Sequence, residues 1–172
     1  MKKIIFLALL MLPLQSFSAE SEALISLLKT SPEKIQQASE NLKELETLKK
    51  PGIINATPDL IADYNHIYIA KKQVPVLSGT FLALDHEYLD NYIGCCVNPG
   101  VAVVLHMEKE GADLSAVDQF AKENVCTITP FEQSPMIKEV EEAIFHNFKK
   151  ENIVVFSCKL RDRIKDSTES TK

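Results

Sequence analysis

The run VAVVLHM at residues 101–107 decides the fold class of this chain. Its β-branched and aliphatic residues favour the pleated surface of a β-strand. The competing interpretation is a helix that begins at Asn98-Pro99 and ends at Gly111, which would make the chain an all-α helical bundle. The sequence favours the strand, with the odd-numbered residues of the run on one apolar face and His106 on the other.

The residues after this run alternate between helical and strand patterns. A helix is predicted from Asp113 to Asn124, a strand over 125–129, a second helix from Ser134-Pro135 to Asn152, and a last strand over 153–160. Asn124 and Asn152 precede the two strands, and asparagine tolerates the left-handed conformation that closes a helix. Residues 101–160 therefore read as strand–helix–strand–helix–strand.

Hydroxyl–proline pairs mark helix starts in the first half of the chain, because the hydroxyl caps free backbone N–H groups and proline fits the first turn. Ser31-Pro32 opens one predicted helix over 32–49, whose apolar side carries Ile35, Ala38, Leu42, Leu45 and Leu48. Thr57-Pro58 opens a second helix. A third begins at Thr80, with a strand over 74–84 as the alternative, and a short helix leads at 20–30. The predicted fold is α+β: N-terminal helices, then a small mixed β-sheet with two crossover helices.

The first nineteen residues, MKKIIFLALLMLPLQSFSA, have the three parts of a secretory signal peptide. Lys2 and Lys3 form the basic region, an apolar run follows, and small residues end the segment. The run is shorter than the roughly 20 residues that span a bilayer. We expect cleavage after Ser18 or Ala19 and export to the periplasm or the medium. Residues 20–160 would form one globular domain and residues 161–172 a polar, frayed tail.

The formal net charge of the chain is −5, and it becomes −7 when Lys2 and Lys3 leave with the signal peptide. An acidic domain repels nucleic acids and anionic lipid headgroups. The charge favours a basic protein partner, and no later segment is long and apolar enough to span a membrane. The sequence predicts no cofactor and leaves the oligomeric state open.

The four cysteines are Cys95, Cys96, Cys126 and Cys158, and an exported protein favours their oxidation to disulfides. A bond between adjacent cysteines is strained, so we expect Cys95 and Cys96 to pair with Cys126 and Cys158 in an order that stays open. Cys95, Cys96 and Cys126 lie near the starts of their predicted strands, which share one edge of the sheet if these strands are parallel. Cys158 lies near the end of the last strand and reaches that edge only if this strand is antiparallel. A Cys126–Cys158 bond would instead favour a reactive site at Cys95-Cys96.

No catalytic residue and no set of metal ligands stands out. The paired Cys-x-x-Cys spacing of zinc sites is absent, and His66, His86, His106 and His146 form no close pair of ligands. His86, between Asp85 and Glu87, is assigned to a solvated helix face, and His106 to a half-exposed position on its strand.

The predicted function is therefore that of a small non-enzymatic module that binds another protein, such as an immunity or inhibitor protein. Small size, export, acidity and predicted disulfides support it. Two alternatives stay open. One is a thiol-redox protein or cysteine-dependent enzyme of the cell envelope that uses Cys95 or Cys96. The other is a carrier of a small ligand or a metal.

Overall fold

A computed structural model describes residues 18–89, 96–107, 115–134, 140 and 152–163. Residues 1–17 of the predicted signal peptide (1–19), most of the second crossover helix (135–151) and the tail beyond 163 lie outside the described residues. The helices are α1 (Ala19–Lys29), α2 (Pro32–Ala38), α3 (Lys43–Lys49) and α4 (Ser115–Asn124). The strands are β1 (Leu60–Ala62), β2 (Asn65–Ile69), β3 (Pro75–Val76), β4 (Gly79–Glu87), β5 (Gly100–Met107), β6 (Thr127–Pro130) and β7 (Ile153–Ser157).

Seven strands of the described residues form one sheet in the order β1-β2-β4-β5-β7-β6, with β3 also paired to β4. Every pairing is antiparallel. The α+β class is confirmed and the all-α bundle is excluded. The predicted mixed sheet is wrong because β7 lies between β5 and β6, so these two strands run in the same direction without pairing.

The predicted strand at 101–107 is confirmed as β5, which pairs with β4 along its whole length, from Gly79 opposite Met107 to Glu87 opposite Gly100. Its odd-numbered residues pack in the core shared with α1–α4, on what we call the α face. Ala102 and Val104 pack on the opposite, second face, together with Phe131 and Val140. The sequence predicted that side chains of this run alternate between two faces, and these two faces contact the two different cores.

The helix α4 and the strands β6 and β7 also lie where the sequence placed them. The closing residue differs: Val125, not Asn124, adopts the left-handed conformation, with a φ of 53°. Asn124 ends the helix, and its side-chain Nδ2 donates to the Phe120 carbonyl at 2.9 Å.

The single helix predicted over 32–49 is two helices, α2 and α3. Ser31 caps α2 as expected, since its Oγ accepts a hydrogen bond from the Lys34 N–H at 3.3 Å. Ser39 breaks the helix with a φ of 49°. The chain must turn there because α2 packs against β5, whereas α3 packs against α1. Both helices still bury the predicted apolar side.

The helices predicted from Thr57 and Thr80 are wrong, since these segments form the hairpins β1–β2 and β3–β4. The strand alternative over 74–84 was nearer, although β4 continues to Glu87. The cause is burial on both faces: every residue of β4 except Thr80 is buried. A strand covered on both sides shows no alternation of apolar and polar residues, and its apolar positions mimic helical spacing.

The frayed tail was predicted to begin at residue 161, but residues 160–163 form a helical turn that is bonded to the sheet. Asp162 accepts hydrogen bonds from the Ser157 hydroxyl at 2.6 Å and from the Thr127 hydroxyl at 3.0 Å. Arg163 donates to the carbonyls of Cys158 and Thr30, at 3.2 and 3.3 Å. The globular domain therefore extends at least to Arg163.

We predict that Leu45→Asp destabilises the fold by about 3 kcal/mol or more, because it places an unpaired carboxylate in the core. Leu45 is fully buried in the middle of α3. Leu42 is a poorer test since it occupies the N-cap of α3, where aspartate is favoured. Urea denaturation measures the effect, with Lys43→Asp on the exposed side of α3 as the control. Equal stabilities of the two variants would contradict the packing of α3.

Candidate functional site

The chain concentrates its buried ionisable groups at the end of β4, in residues 85–88. Side chains of a strand alternate between faces. Asp85 and Glu87 therefore lie on the second face, and His86 and Tyr88 lie on the α face. The assignment of residues 85–87 to a solvated helix face is wrong, since all three are buried in a strand.

On the second face, Lys159 forms two buried ion pairs. Its Nζ donates to Asp85 Oδ2 at 2.6 Å and to Glu87 Oε2 at 2.9 Å. Only 6% of Lys159 is exposed. Burial alone would lower the pKa of Lys159, but the carboxylates of Asp85 and Glu87 outweigh it and raise that pKa. The amine is therefore a fixed cation and does not serve as a nucleophile or a base at neutral pH.

Gly100 makes the close approach of Lys159 to the sheet possible. Glycine is required there because its φ is 142°, and a Cβ would lie 2.6 Å from the Lys159 Cα. The backbone after β7 thus runs directly against the first residue of β5, which brings the Lys159 side chain under the end of β4.

Amide groups complete the network around the two carboxylates. Asn65 of β2 donates from Nδ2 to Asp85 at 2.9 and 3.1 Å and to Glu87 at 3.4 Å. The Asn98 N–H donates to Glu87 Oε1 at 2.6 Å, and Asn98 Oδ1 accepts from the Arg161 N–H at 2.7 Å. The network therefore joins β2, β4, the start of β5 and the C-terminal turn.

On the α face, Tyr88 contacts two histidines. His66 of β2 stacks on Tyr88, with ring centroids 4.3 Å apart, and the tilted His86 ring lies 4.6 Å from Tyr88. His86 is 0% exposed. Burial, followed by the electrostatic effects of His66, Lys49 and Lys159, lowers the pKa of His86 to about 3. His86 is therefore neutral at physiological pH.

Leu89 directly follows this cluster, and a side chain makes the two hydrogen bonds to its backbone that a neighbouring strand would make. Gln36 of α2 accepts from the Leu89 N–H through Oε1 at 3.2 Å and donates from Nε2 to the Leu89 carbonyl. The backbone is thus fixed at the point where β4 enters its connection to β5. The pairing of Gln36 with Leu89 was not predicted, because the two residues are 53 positions apart.

The predicted pairing of the cysteines is wrong. Cys126 is bonded to Cys158, with their Cα atoms 4.3 Å apart. Thr127 pairs with Ser157 across β6 and β7, so the residues beside them are immediate neighbours. Cys95 lies outside the described residues, and Cys96 is exposed. The predicted antiparallel last strand is confirmed, and it is this strand that joins Cys158 to Cys126.

The remaining candidate residues that the structure describes do not gather into a site. His106 is half-buried on the second face of β5, and His146 lies outside the described residues. The part of the chain that the structure describes contains no group of three or more His, Cys, Asp or Glu side chains that could hold a metal ion. In that same part, no helix is both long enough and apolar enough to cross a membrane.

Sequence reasoning missed Lys159 and Asn65 as partners of the two carboxylates. The available signal was the pattern Asp85-His86-Glu87 at the end of an apolar segment. In a strand, this pattern puts two carboxylates on one buried face, and a buried pair of carboxylates requires a cation. The helix assignment concealed the pattern.

We predict that Lys159→Met destabilises the fold by about 3–5 kcal/mol, because it leaves two buried carboxylates without their cation. Adding Asp85→Asn and Glu87→Gln should recover most of the loss, since no buried charge then remains. Urea denaturation at pH 7 measures both variants. Lys71→Met is the control: it breaks an exposed pair with Asp59, and such pairs contribute roughly 0–1 kcal/mol. Equal effects at 71 and 159 would contradict the structural role of Lys159.

We predict that replacing both Cys126 and Cys158 by alanine lowers stability by about 3–4 kcal/mol, because their bond closes a loop with a sequence separation of 32. Thermal melting of wild type and the double variant measures the loss. Reductant should lower the melting temperature of the wild type far more than that of the variant. Peptide mapping that links Cys126 to Cys95 or Cys96 would contradict the pairing.

Comparison of the chain with protein-family models found no match, and searches of the curated proteins and of the solved structures found none either.

Proposed function

We propose that this chain is a non-enzymatic protein-binding module of the cell envelope, of the immunity or inhibitor kind, which the segment 1–19 directs to the periplasm. The observation that carries the proposal is the β1 edge of the sheet, next to which no further strand lies among the residues that the structure describes. Ile61 lies on that edge and is 59% exposed, and it is the exposed large hydrophobic residue of the described part of the chain.

The hairpin geometry directs the backbone of Ile61 outward. Ala62 pairs with Asn65 around the two-residue turn Asp63-Tyr64, and Ile61 pairs with His66. In an antiparallel ladder, hydrogen-bonded and non-hydrogen-bonded pairs alternate, and the pair that closes a two-residue turn is hydrogen-bonded. The N–H and C=O of Ile61 therefore point away from β2, where an added strand from a partner would accept and donate hydrogen bonds.

The other edge of the sheet is less suited to strand addition. β6 ends at Pro130, which has no N–H to donate, and Asp162 bonds the Thr127 side chain at the other end of the strand. The β1 edge combines an apolar side chain with outward backbone groups, which is the combination that strand addition uses.

The buried polar groups support a binding function over a catalytic one. The charges of Lys159, Asp85 and Glu87 bond one another, and His86 is a neutral side chain in the core. The net charge of −5 favours a basic partner, and the exposed Asp63 beside Ile61 places one negative charge at the proposed edge.

The Cys126–Cys158 bond favours a second candidate, an envelope thiol-redox protein that uses the adjacent Cys95 and Cys96. The bond occupies both of the distant cysteines with which these two could have paired. Thiol labelling with intact-mass measurement before and after mild reduction tests this candidate. A Cys95-Cys96 pair that mild reductant does not open, and that carries no label beforehand, removes it.

We predict that a photo-crosslinking residue at position 61 captures a discrete partner in periplasmic extracts, whereas the same residue at Lys122, exposed on α4, does not. With the purified partner, Ile61→Lys should weaken binding at least about tenfold, because it removes the apolar contact and repels a basic strand. Ile61→Val is the conservative control and should bind nearly as wild type. Equal capture at both positions, or unchanged binding of Ile61→Lys, would contradict the β1 edge as the interface.

A further inference from the structure

Buried His86 and half-buried His66, the two histidines beside Tyr88, have buried ring nitrogens that lack the hydrogen bonds such atoms normally make. Among the residues that the structure describes, neither ring nitrogen of His86 has a partner, and neither does Nδ1 of His66. A neutral imidazole carries one N–H, and most buried polar atoms in proteins are paired. An unpaired donor in a fully buried residue indicates a specific role for this site.

The groups around His86 oppose the uptake of a proton. His66 faces it from β2, Lys49 from α3, and Lys159 acts from beyond the sheet, and all three disfavour a positive charge on His86. Tyr88, just after the end of β4, packs against it. The carboxylates of the adjacent residues Asp85 and Glu87 lie on the opposite face and are bonded to Lys159. Among the residues that the structure describes, an imidazolium at position 86 would find no acceptor for its two N–H donors.

We propose that His66, Tyr88 and His86 form an acid-operated latch, in which protonation of His86 moves the end of β4 away from the α face and frees Leu89 from Gln36. The connectivity carries the effect. Tyr88 is held by both histidines, and its N–H donates to the Tyr64 carbonyl at 3.2 Å. Leu89 follows it directly and is bonded through both its backbone groups to Gln36. This proposal is independent of the proposed function.

The direction of the pH dependence follows from the two states of the latch. When the end of β4 is open, His86 is solvated and takes up a proton near its ordinary pKa of 6.5, whereas burial keeps the pKa of the closed state at about 3. The open state therefore binds more protons between these values, and acid favours it. Opening should rise about tenfold for each pH unit below 6.5, hence about 100-fold at pH 4.5. Above pH 7 it should be constant.

The opening is expected to be local, because the pairing of β4 with β5 continues well beyond the histidines. From Gly79 to Leu84, β4 stays paired with β5, whose other side pairs with β7. The β5 amides therefore report on global unfolding, and the amides of Tyr88 and Leu89 report on the latch.

Hydrogen exchange of the full chain between pH 7.5 and 4.5, corrected for intrinsic exchange rates, tests the proposal. Protection at Tyr88 and Leu89 should fall about 100-fold at pH 4.5 and should stay well below the protection of the β5 amides at every pH. His86→Phe keeps an aromatic ring that cannot be protonated and should abolish the fall. His106→Gln, a histidine on the second face of β5, is the matched control and should behave as wild type.

Three results would overturn the latch: pH-independent protection at Tyr88 and Leu89, protection of these two amides equal to that of the β5 amides, or a His86→Phe variant with the wild-type response. If His86→Phe does not fold, the wild-type pH series alone still decides, because the latch requires the protection of the two reporter amides to fall with acid while it remains below that of the β5 amides.

Discussion

A single buried cation, the ammonium of Lys159, fixes the end of the sheet on which the rest of the structure depends. Leaving Asp85 and Glu87 buried without it would be strongly unfavourable, so the C-terminal segment must return to the end of β4. The return is possible because Gly100 allows the backbone to pass close to β5. Lys159 thereby contacts Asp85 and Glu87, which lie 74 and 72 positions before it in the sequence. The last described residues of the domain are thus joined to β4.

The alternation of side chains along β4 gives this one strand two opposite electrostatic environments. On the second face, the carboxylates lie next to a cation and remain charged. On the α face, His86 is buried, with Lys49 on its own side of the sheet and Lys159 on the other side. The neutral form of its imidazole is therefore favoured. The network that stabilises the carboxylates therefore also opposes protonation of the histidine, and the two clusters are coupled through the sheet.

Whether an element could be predicted from the sequence depended on how its residues are buried. Residues 101–107, α4 and β7 were correctly predicted because β-branched runs and helix-start signals agree there. The segments that form β1, β2 and β4 were predicted as helices, with a strand over 74–84 as the alternative. In β4, apolar residues on both faces remove the period of two. For the cysteines, the sequence correctly implied an antiparallel last strand. It did not reveal that β7 lies between β5 and β6, and this insertion makes Cys126 and Cys158 neighbours. The ion network requires Lys159 to approach residues more than 70 positions away, for which no local pattern exists.

The residues that stabilise the fold and the residues that we propose for recognition lie in different parts of the sheet. The charged network and the histidine stack lie inside the sheet, where their groups are used for packing and for one another. β1 lies at the end of the strand order, held by β2 and by the Asp59 carboxylate, which bonds the Ile69 N–H at 2.8 Å and Lys71 at 3.0 Å. A short strand anchored in this way presents Ile61 on a fixed backbone, so a partner strand would bind with little loss of conformational entropy. The acid sensitivity that we infer concerns the end of β4. This strand pairs with β2, and β2 in turn pairs with β1. Opening of that end would therefore loosen the support of the edge that we propose for binding.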